Sequence, residues 1–169
     1  KGGVGKTSTT IGLGATFAAL RGDRVIAVDA NPDFGTLAHR VPDPNPATVR
    51  DLLRAPSTDR YAEVRAHTTQ APSRLEVLGS ERDPSISEAF SAADYERTLD
   101  ILRRHYNILL TDCGTGLVHD TVGAILAHAH CLVLVATPAL DGARSAWATL
   151  DWLSAHGWAD LVSSTVVVV

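Results

Sequence analysis

Lys1-Gly2-Gly3-Val4-Gly5-Lys6-Thr7-Ser8 joins glycines to a basic–hydroxyl pair at short spacing. Phosphate oxygens need several backbone N–H donors converging on one concavity. Only glycine lets a chain wrap that closely, because a Cβ would meet the ligand or forbid the dihedrals. A helix opening at Lys6 would turn its positive end toward the same oxygens. Lys6 would then reach the β/γ oxygens of a nucleotide, and the Thr7 hydroxyl would ligate Mg²⁺. The pattern G-x-x-x-x-G-K-[ST] is met from Gly5 onward, and its first glycine would precede Lys1. Two acids close apolar runs: Asp29 after Val25-Ile26-Ala27-Val28, and Asp112 after Ile108-Leu109-Leu110-Thr111. A glycine-rich turn before an ordinary helix needs neither acid, whereas metal-assisted phosphate chemistry needs both.

These groups require elements that hold them together. Apolar spacing predicts helices over 6–20, 48–53, 94–105, 118–129 and 143–156. Thr48 caps the second of these, and Trp147, Leu150 and Leu153 face inward on the last. Continuous apolar runs predict strands over 24–29, 75–79, 106–111, 131–136 and 165–169. Pro32, Pro42, Pro44 and Pro46 make 31–46 mostly loop, and 56–73 is polar without a clear period. Apolar strands alternating with helices predict an α/β fold with a mostly parallel sheet and helices on both faces. Ligands of such sheets bind at the carboxyl ends of the strands. Asp29, Asp112 and Thr137-Pro138 all fall at those ends.

The composition narrows the class. The chain has 169 residues, 45% of them hydrophobic and 20% charged, which excludes a disordered or collagen-like polymer. A net charge of −4 argues against a global electrostatic footprint for nucleic acid. Cys113 and Cys131 make no disulfide framework, which fits a reducing compartment. Seven histidines are scattered without zinc-site spacing. Cys113 reads as a small filler beside Asp112. Trp152 and Trp158 read equally well as partner contacts and as packing residues. No methionine occurs and residue 1 is lysine. Residues 1–169 therefore read as a single domain fragment truncated at both ends, lacking a strand ahead of Lys1. Such a segment is expected to leave an apolar slot in the sheet, and neither to fold nor to hydrolyse nucleotide well alone.

KGGVGKTST resembles the deviant Walker A motif of the ParA/MinD family of P-loop ATPases, which carries an extra lysine at the position of Lys1. Residues 25–32 resemble that family's first switch, written D-x-D-P, and 108–114 resemble its Walker B strand and second switch. The resemblance runs along the whole chain and is weakest over 40–90. It implies a P-loop NTPase fold, ATP and Mg²⁺ as ligands, and a homodimer closed across ATP. Gly2, Gly3, Val4 and Gly5 would wrap the phosphates, and Lys6 would hold the β/γ oxygens. Thr7 would bind Mg²⁺, and Ser8 would sit by the α-phosphate. Asp112 would hold a metal-bound water, Asp29 would orient the first switch, and Lys1 would reach the partner's nucleotide.

One position departs from the family pattern. The second acid of D-x-D orients the attacking water, and here it is Asn31, with Asp33 as a substitute if the loop is shifted. An amide orients water but does not take its proton. The expected activity is therefore slow ATP hydrolysis by a dimerisation switch. Its tasks would be spatial positioning: chromosome or plasmid partitioning, septum placement or regulation of a secretion system. Two alternatives stand beside it: an ATP-binding regulator or scaffold with little hydrolysis, and a metabolic P-loop ligase. Residues 31–37 and 112–116 also resemble actinobacterial MinD/ParA-like proteins, some of them associated with type VII secretion. The resemblance implies a cytoplasmic protein with a protein partner. A membrane surface at the inner face of the plasma membrane, or DNA, would be further partners of the intact protein.

Overall fold

The computed structural model describes residues 3–31, 35–80, 90–114 and 120–169. Helix α1 (Lys6–Leu20) leads into strand β1 (Val25–Ala30), and a 3-10 turn follows at Ala38–Arg40. Helices α2 (Val49–Leu53) and α3 (Tyr61–Arg65) precede β2 (Thr69–Gln70) and β3 (Glu76–Leu78). Then come α4 (Ala92–Leu102), β4 (Ile108–Cys113), α5 (Asp120–His128) and β5 (Val133–Val135). The chain continues through α6 (Leu140–Ala155), α7 (Ala159–Ser163) and β6 (Val166–Val168).

One sheet has the order β2-β3-β1-β4. Its three longer strands run parallel, and only the edge strand β2 is antiparallel. A second sheet pairs β5 with β6 in parallel. Among the described residues β4 bonds to β1 alone and β5 to β6 alone, so each presents one unpaired edge. The expected α/β architecture is therefore present, distributed over two sheets.

β1 lies at the centre, buried along its whole length. Period-two alternation sends its side chains to opposite faces. Val25 and Ala27 pack with Ala18 of α1, Leu37, Leu75 and Val77. Ile26 and Val28 face the other way, onto Val49 and Leu52 of α2, Leu102 of α4, and Tyr106. Helices thus cover both faces. Full burial of side chains such as Ile26, Leu52, Leu78 and Leu102 contributes about 1.5–3 kcal/mol each.

Two helix starts are set by reciprocal caps. The Thr48 side chain accepts from the Asp51 N–H while Asp51 Oδ2 accepts from the Thr48 N–H at 2.8 Å, as expected for α2. Ser91 and Asp94 repeat the device, with Ser91 Oγ donating to Asp94 Oδ2 at 2.9 Å. That cap starts α4 earlier than apolar spacing alone places it. The polar stretch 56–73 holds α3 and β2, organised around the buried carboxylate of Glu76. Thr68 Oγ1 donates to Glu76 Oε2 at 2.8 Å, Tyr106 Oη donates to it at 2.6 Å, and Tyr61 Oη donates to Oε1. Tyr61 also lies beneath the Arg24 guanidinium, 4.0 Å from its ring centroid.

One core assignment is overturned. Trp147 is 69% exposed. The inward stripe of α6 runs through Gly142, Ala146, Thr149, Leu150 and the fully buried Leu153. Trp147 stands one residue, about 100° of helix rotation, off that stripe. Trp152 and Trp158 pack instead against Leu126, Leu153 and Leu161. The brief α7 has too little apolar periodicity to be read from sequence.

Candidate functional site

α1 begins from backbone that only glycine adopts readily. Gly3 has φ 86° and Gly5, the residue before the helix, has φ 99°. A Cβ added to either would meet nothing within 4 Å, so packing does not demand glycine there. The demand is conformational, and the space beside both is open. No side chain caps α1, and its first turn holds no acid. The first intrahelical bond within reach, Thr9 N–H to Gly5 O, is 2.8 Å long. The N–H groups before it are the donors that a helix leaves unpaired. An uncapped N-terminus under left-handed glycines is a ready anion site.

The two acids sit side by side. β1 and β4 pair so that Asp29 stands directly opposite Asp112. Both are buried, at 1% and 4% exposure. Asp29 braces the loop that follows β1: its Oδ1 accepts the Asn31 N–H at 3.1 Å and its Oδ2 the Leu37 N–H at 3.0 Å. Gly35 comes so close to this carboxylate and to Ser80 that a Cβ there would collide with the Ser80 hydroxyl. Ser80 Oγ lies beside Asp29 but forms no hydrogen bond of regular geometry.

Burial dominates the electrostatics. It pushes the Asp29 carboxyl up to about 6, against the two N–H donors and with the Asp112 charge adding to the rise. Burial likewise raises Asp112, opposed by the Thr7 side chain, the Lys6 charge, the Thr10 side chain and the more distant Arg40. Paired buried carboxylates held above their ordinary range favour a cation. The donor set fits Mg²⁺, which takes one or two carboxylates beside a hydroxyl, phosphates and water. No cluster of three or more His, Cys, Asp or Glu occurs among the described residues. Burial and the Asp112 charge push the Cys113 thiol up to about 12, which removes it as a nucleophile at neutral pH.

A pH dependence follows from Asp29. Its folded value of about 6 exceeds the ordinary 3.8, so the native state holds this proton more tightly than the unfolded chain does. Without a bound cation, stability should fall as pH rises from about 4 to about 6, by roughly 3 kcal/mol for this group. Asp29→Asn should flatten that part of the profile in urea unfolding at pH 4 and pH 7. An unchanged slope would show that Asp29 does not cause it.

The geometry brings Lys6, Thr7, Asp29 and Asp112 to one end of the parallel strands, with the Asn31 backbone anchored beside them. Val4 and Gly5 lead into the helix, and Ser8 is exposed on its first turn. Lys1, Gly2 and Asp33 lie outside the described residues. Sequence reading missed Thr10, Arg40, Gly35 and Ser80. Thr10 was accessible in principle, because it lies one helical turn beyond Lys6 and Thr7. Arg40 and the Gly35–Ser80 contact depend on loops without periodic signal.

Residues 1–126 match the family model described as the CobQ/CobB/MinD/ParA nucleotide binding domain. The chain belongs to this family. The ESX-1 secretion-associated protein EspI of Mycobacterium tuberculosis is 40% identical over 169 residues, covering 100% of this chain and 25% of EspI. The chain thus spans about a quarter of that relative's length. In fold it matches a ParA family ATPase from Chlorobium tepidum at a TM-score of 0.84 and 19% identity, covering 99% of this chain and 69% of that one. It also matches the septum site-determining protein MinD of Pyrococcus horikoshii, solved with Mg-ADP, at a TM-score of 0.70 and 21% identity. That match covers 93% of this chain and 63% of that one. The CobQ/CobB/MinD/ParA family consists of nucleotide-binding ATPases, and its α/β P-loop architecture is the one seen here. No described helix is long and apolar enough to cross a membrane.

Proposed function

We propose that this chain binds Mg·ATP and works as a slowly hydrolysing, ATP-dependent dimerisation switch of the ParA/MinD type. The observation that carries the reading is the uncapped start of α1, under Gly3 and Gly5, beside the buried pair Asp29 and Asp112. In this reading the backbone from Gly2 to Thr7 donates to the phosphates, and Lys6 neutralises the β/γ oxygens. Thr7 and Asp112 hold the metal, Asp112 through water, and Ser8 lies by the α-phosphate. Mg²⁺, when bound, supplies charge neutralisation on the phosphates. Asp29 keeps the following loop in register through the Asn31 and Leu37 N–H groups. Lys1 reaches the nucleotide of a second subunit and offsets charge on the transferred group. Regulation of a secretion system is the positioning task favoured by the likeness to EspI, with a protein partner as its target.

A second reading, an ATP-binding regulator with little turnover, is favoured by Asn31. Asn31 puts an amide at the chain position where the family pattern has the water-orienting acid, and its N–H donates to Asp29 Oδ1. Single-turnover hydrolysis with Asn31→Asp separates the two readings. A general base contributes about 10²–10⁴-fold where it is fully effective, so a gain of at least tenfold is expected. No gain would show that Asn31 is not limiting. For the switch itself, the intact protein should elute as a dimer with a slowly hydrolysed ATP analogue and as a monomer with ADP. Lys1→Ala should abolish that difference. A monomer under both conditions would remove the dimerisation reading.

A further inference from the structure

The outer face of α6 has an unusual make-up. At about 100° per residue, Leu140, Arg144, Trp147, Ala148, Asp151 and Ala155 fall within one arc of about 100°. The centre of that arc lies about 180° from Gly142 and Leu153, on the side away from the buried stripe. All six residues are exposed, Leu140 at 68% and Trp147 at 69%. The solvated face of a helix carries mostly charged and polar groups. This one holds four apolar residues and two charges of opposite sign. Neither Arg144 nor Asp151 forms a salt bridge among the described residues.

The order of these residues is self-complementary. Arg144 and Asp151 are equally far from a midpoint between Trp147 and Ala148, and so are Leu140 and Ala155. A two-fold contact between identical chains sets each residue against the one equally far beyond the axis. Two α6 helices packed antiparallel on that midpoint therefore set Arg144 against the partner's Asp151. The same axis sets Asp151 against the partner's Arg144, so both charges are matched twice over. Leu140 meets the partner's Ala155, large against small. The two Trp147 indoles meet beside the axis, where aromatic rings pack offset or edge to face.

Other surfaces suit this face less well. A helix lying on anionic lipid brings a polar face rich in Lys and Arg. Nucleic acid draws on accumulated positive charge. Here the one acid of the face cancels its one base. We propose that the outer face of α6 is a two-fold contact between two copies of this chain, formed without nucleotide. Its 16 residues make α6 about 24 Å long, and a strip about 10 Å wide covers about 250 Å² per copy. A stable complex covers ~800 Å² per partner, so this contact is weak and transient. Its dissociation constant should be on the order of 0.1 mM, and dilution on a column separates the copies. The contact does not rest on the Mg·ATP reading, since α6 carries none of the residues assigned to the nucleotide.

Sedimentation velocity of the intact, nucleotide-free protein tests it, over a concentration series centred on that value. The parent should pass from monomer to dimer. Arg144→Asp and Asp151→Arg each set like charges face to face and should weaken association at least tenfold, as should Trp147→Ala. An equimolar mixture of the Arg144→Asp and Asp151→Arg proteins should associate within threefold of the parent. Each mixed pair again sets an acid against an arginine. Melting temperatures should stay unchanged, because the altered side chains are exposed. Lys6→Ala should retain the association, which separates this contact from the nucleotide-dependent one. A parent that stays monomeric throughout the series would overturn the proposal. So would single variants that associate like the parent, a mixture that stays monomeric, or loss of association in Lys6→Ala.

Discussion

Lys6→Ala should lower the affinity for Mg·ATP by roughly 10²–10³-fold while leaving the fold intact. Lys6 opens α1, where no side chain caps the helix and no acid balances its positive end. Its charge is one of the few influences that oppose the buried rise of Asp112. Truncating one partner of a hydrogen-bonded charge pair costs about 2–5 kcal/mol. At about 1.4 kcal/mol per decade, that range spans about 1.4 to 3.6 orders of magnitude, and the expected loss lies in its middle. Lys6→Arg keeps the charge but offers a planar fork where a compact ammonium fits, so it should fall between the two. Calorimetric titration with Mg·ATP reads the effect, and far-UV circular dichroism checks the helix. An affinity within threefold of the parent would disconnect Lys6 from the phosphates.

The second large effect is on stability and comes from the far end of β3. Glu76→Ala would remove the acceptor shared by Thr68, Tyr106 and Tyr61, with Arg65 Nε 3.8 Å away. Thr68 keeps a second acceptor, the Arg65 carbonyl at 3.2 Å, so its loss is partial. The buried Tyr106 hydroxyl would be left with the Thr68 hydroxyl beside it, itself displaced from the same carboxylate. Each orphaned donor costs about 1–3 kcal/mol, and removing a buried charged partner about 3–5 kcal/mol. A net loss of about 2–5 kcal/mol should lower the melting temperature on the order of 10 °C. Glu76→Gln retains one acceptor and should lose about half as much. Asp29 lies three residues farther along the strand direction, about 10 Å away, so nucleotide affinity of the folded fraction should change little. A Glu76→Ala protein as stable as the parent would show that the hydroxyls find water instead.

Much of this arrangement is legible in the residues because backbone rules write it there. Glycines followed by Lys6 and Thr7 can serve a helix start with few other purposes, and α1 begins at Lys6. Asp29 and Asp112 close apolar runs, and parallel pairing makes such ends neighbours. Thr48 announces its helix through a side chain that competes for backbone donors. What stayed hidden depends on contacts between distant segments. Ser80 meets Gly35 only because β3 lies beside β1. Residues 56–73 lack apolar rhythm because a buried carboxylate organises them in place of an apolar stripe. Trp147 misled because size and hydrophobicity indicate burial only when the residue lies on the stripe, and one step of helix rotation takes it off.

The placement of the indoles has a practical use. Trp147, Trp152 and Trp158 are the chain's three tryptophans, and none belongs to the sheet that carries Asp29 and Asp112. Two of them pack in the cluster around Leu153, with Trp152 stacked 4.1 Å from the His156 ring. The third stands in water. Ultraviolet emission is therefore a built-in optical reporter of the β5–α6–β6 half alone. Acrylamide should quench one indole readily and two slowly. A blue shift confined to the readily quenched component would mark the moment another surface closes over α6, without any label on the nucleotide side.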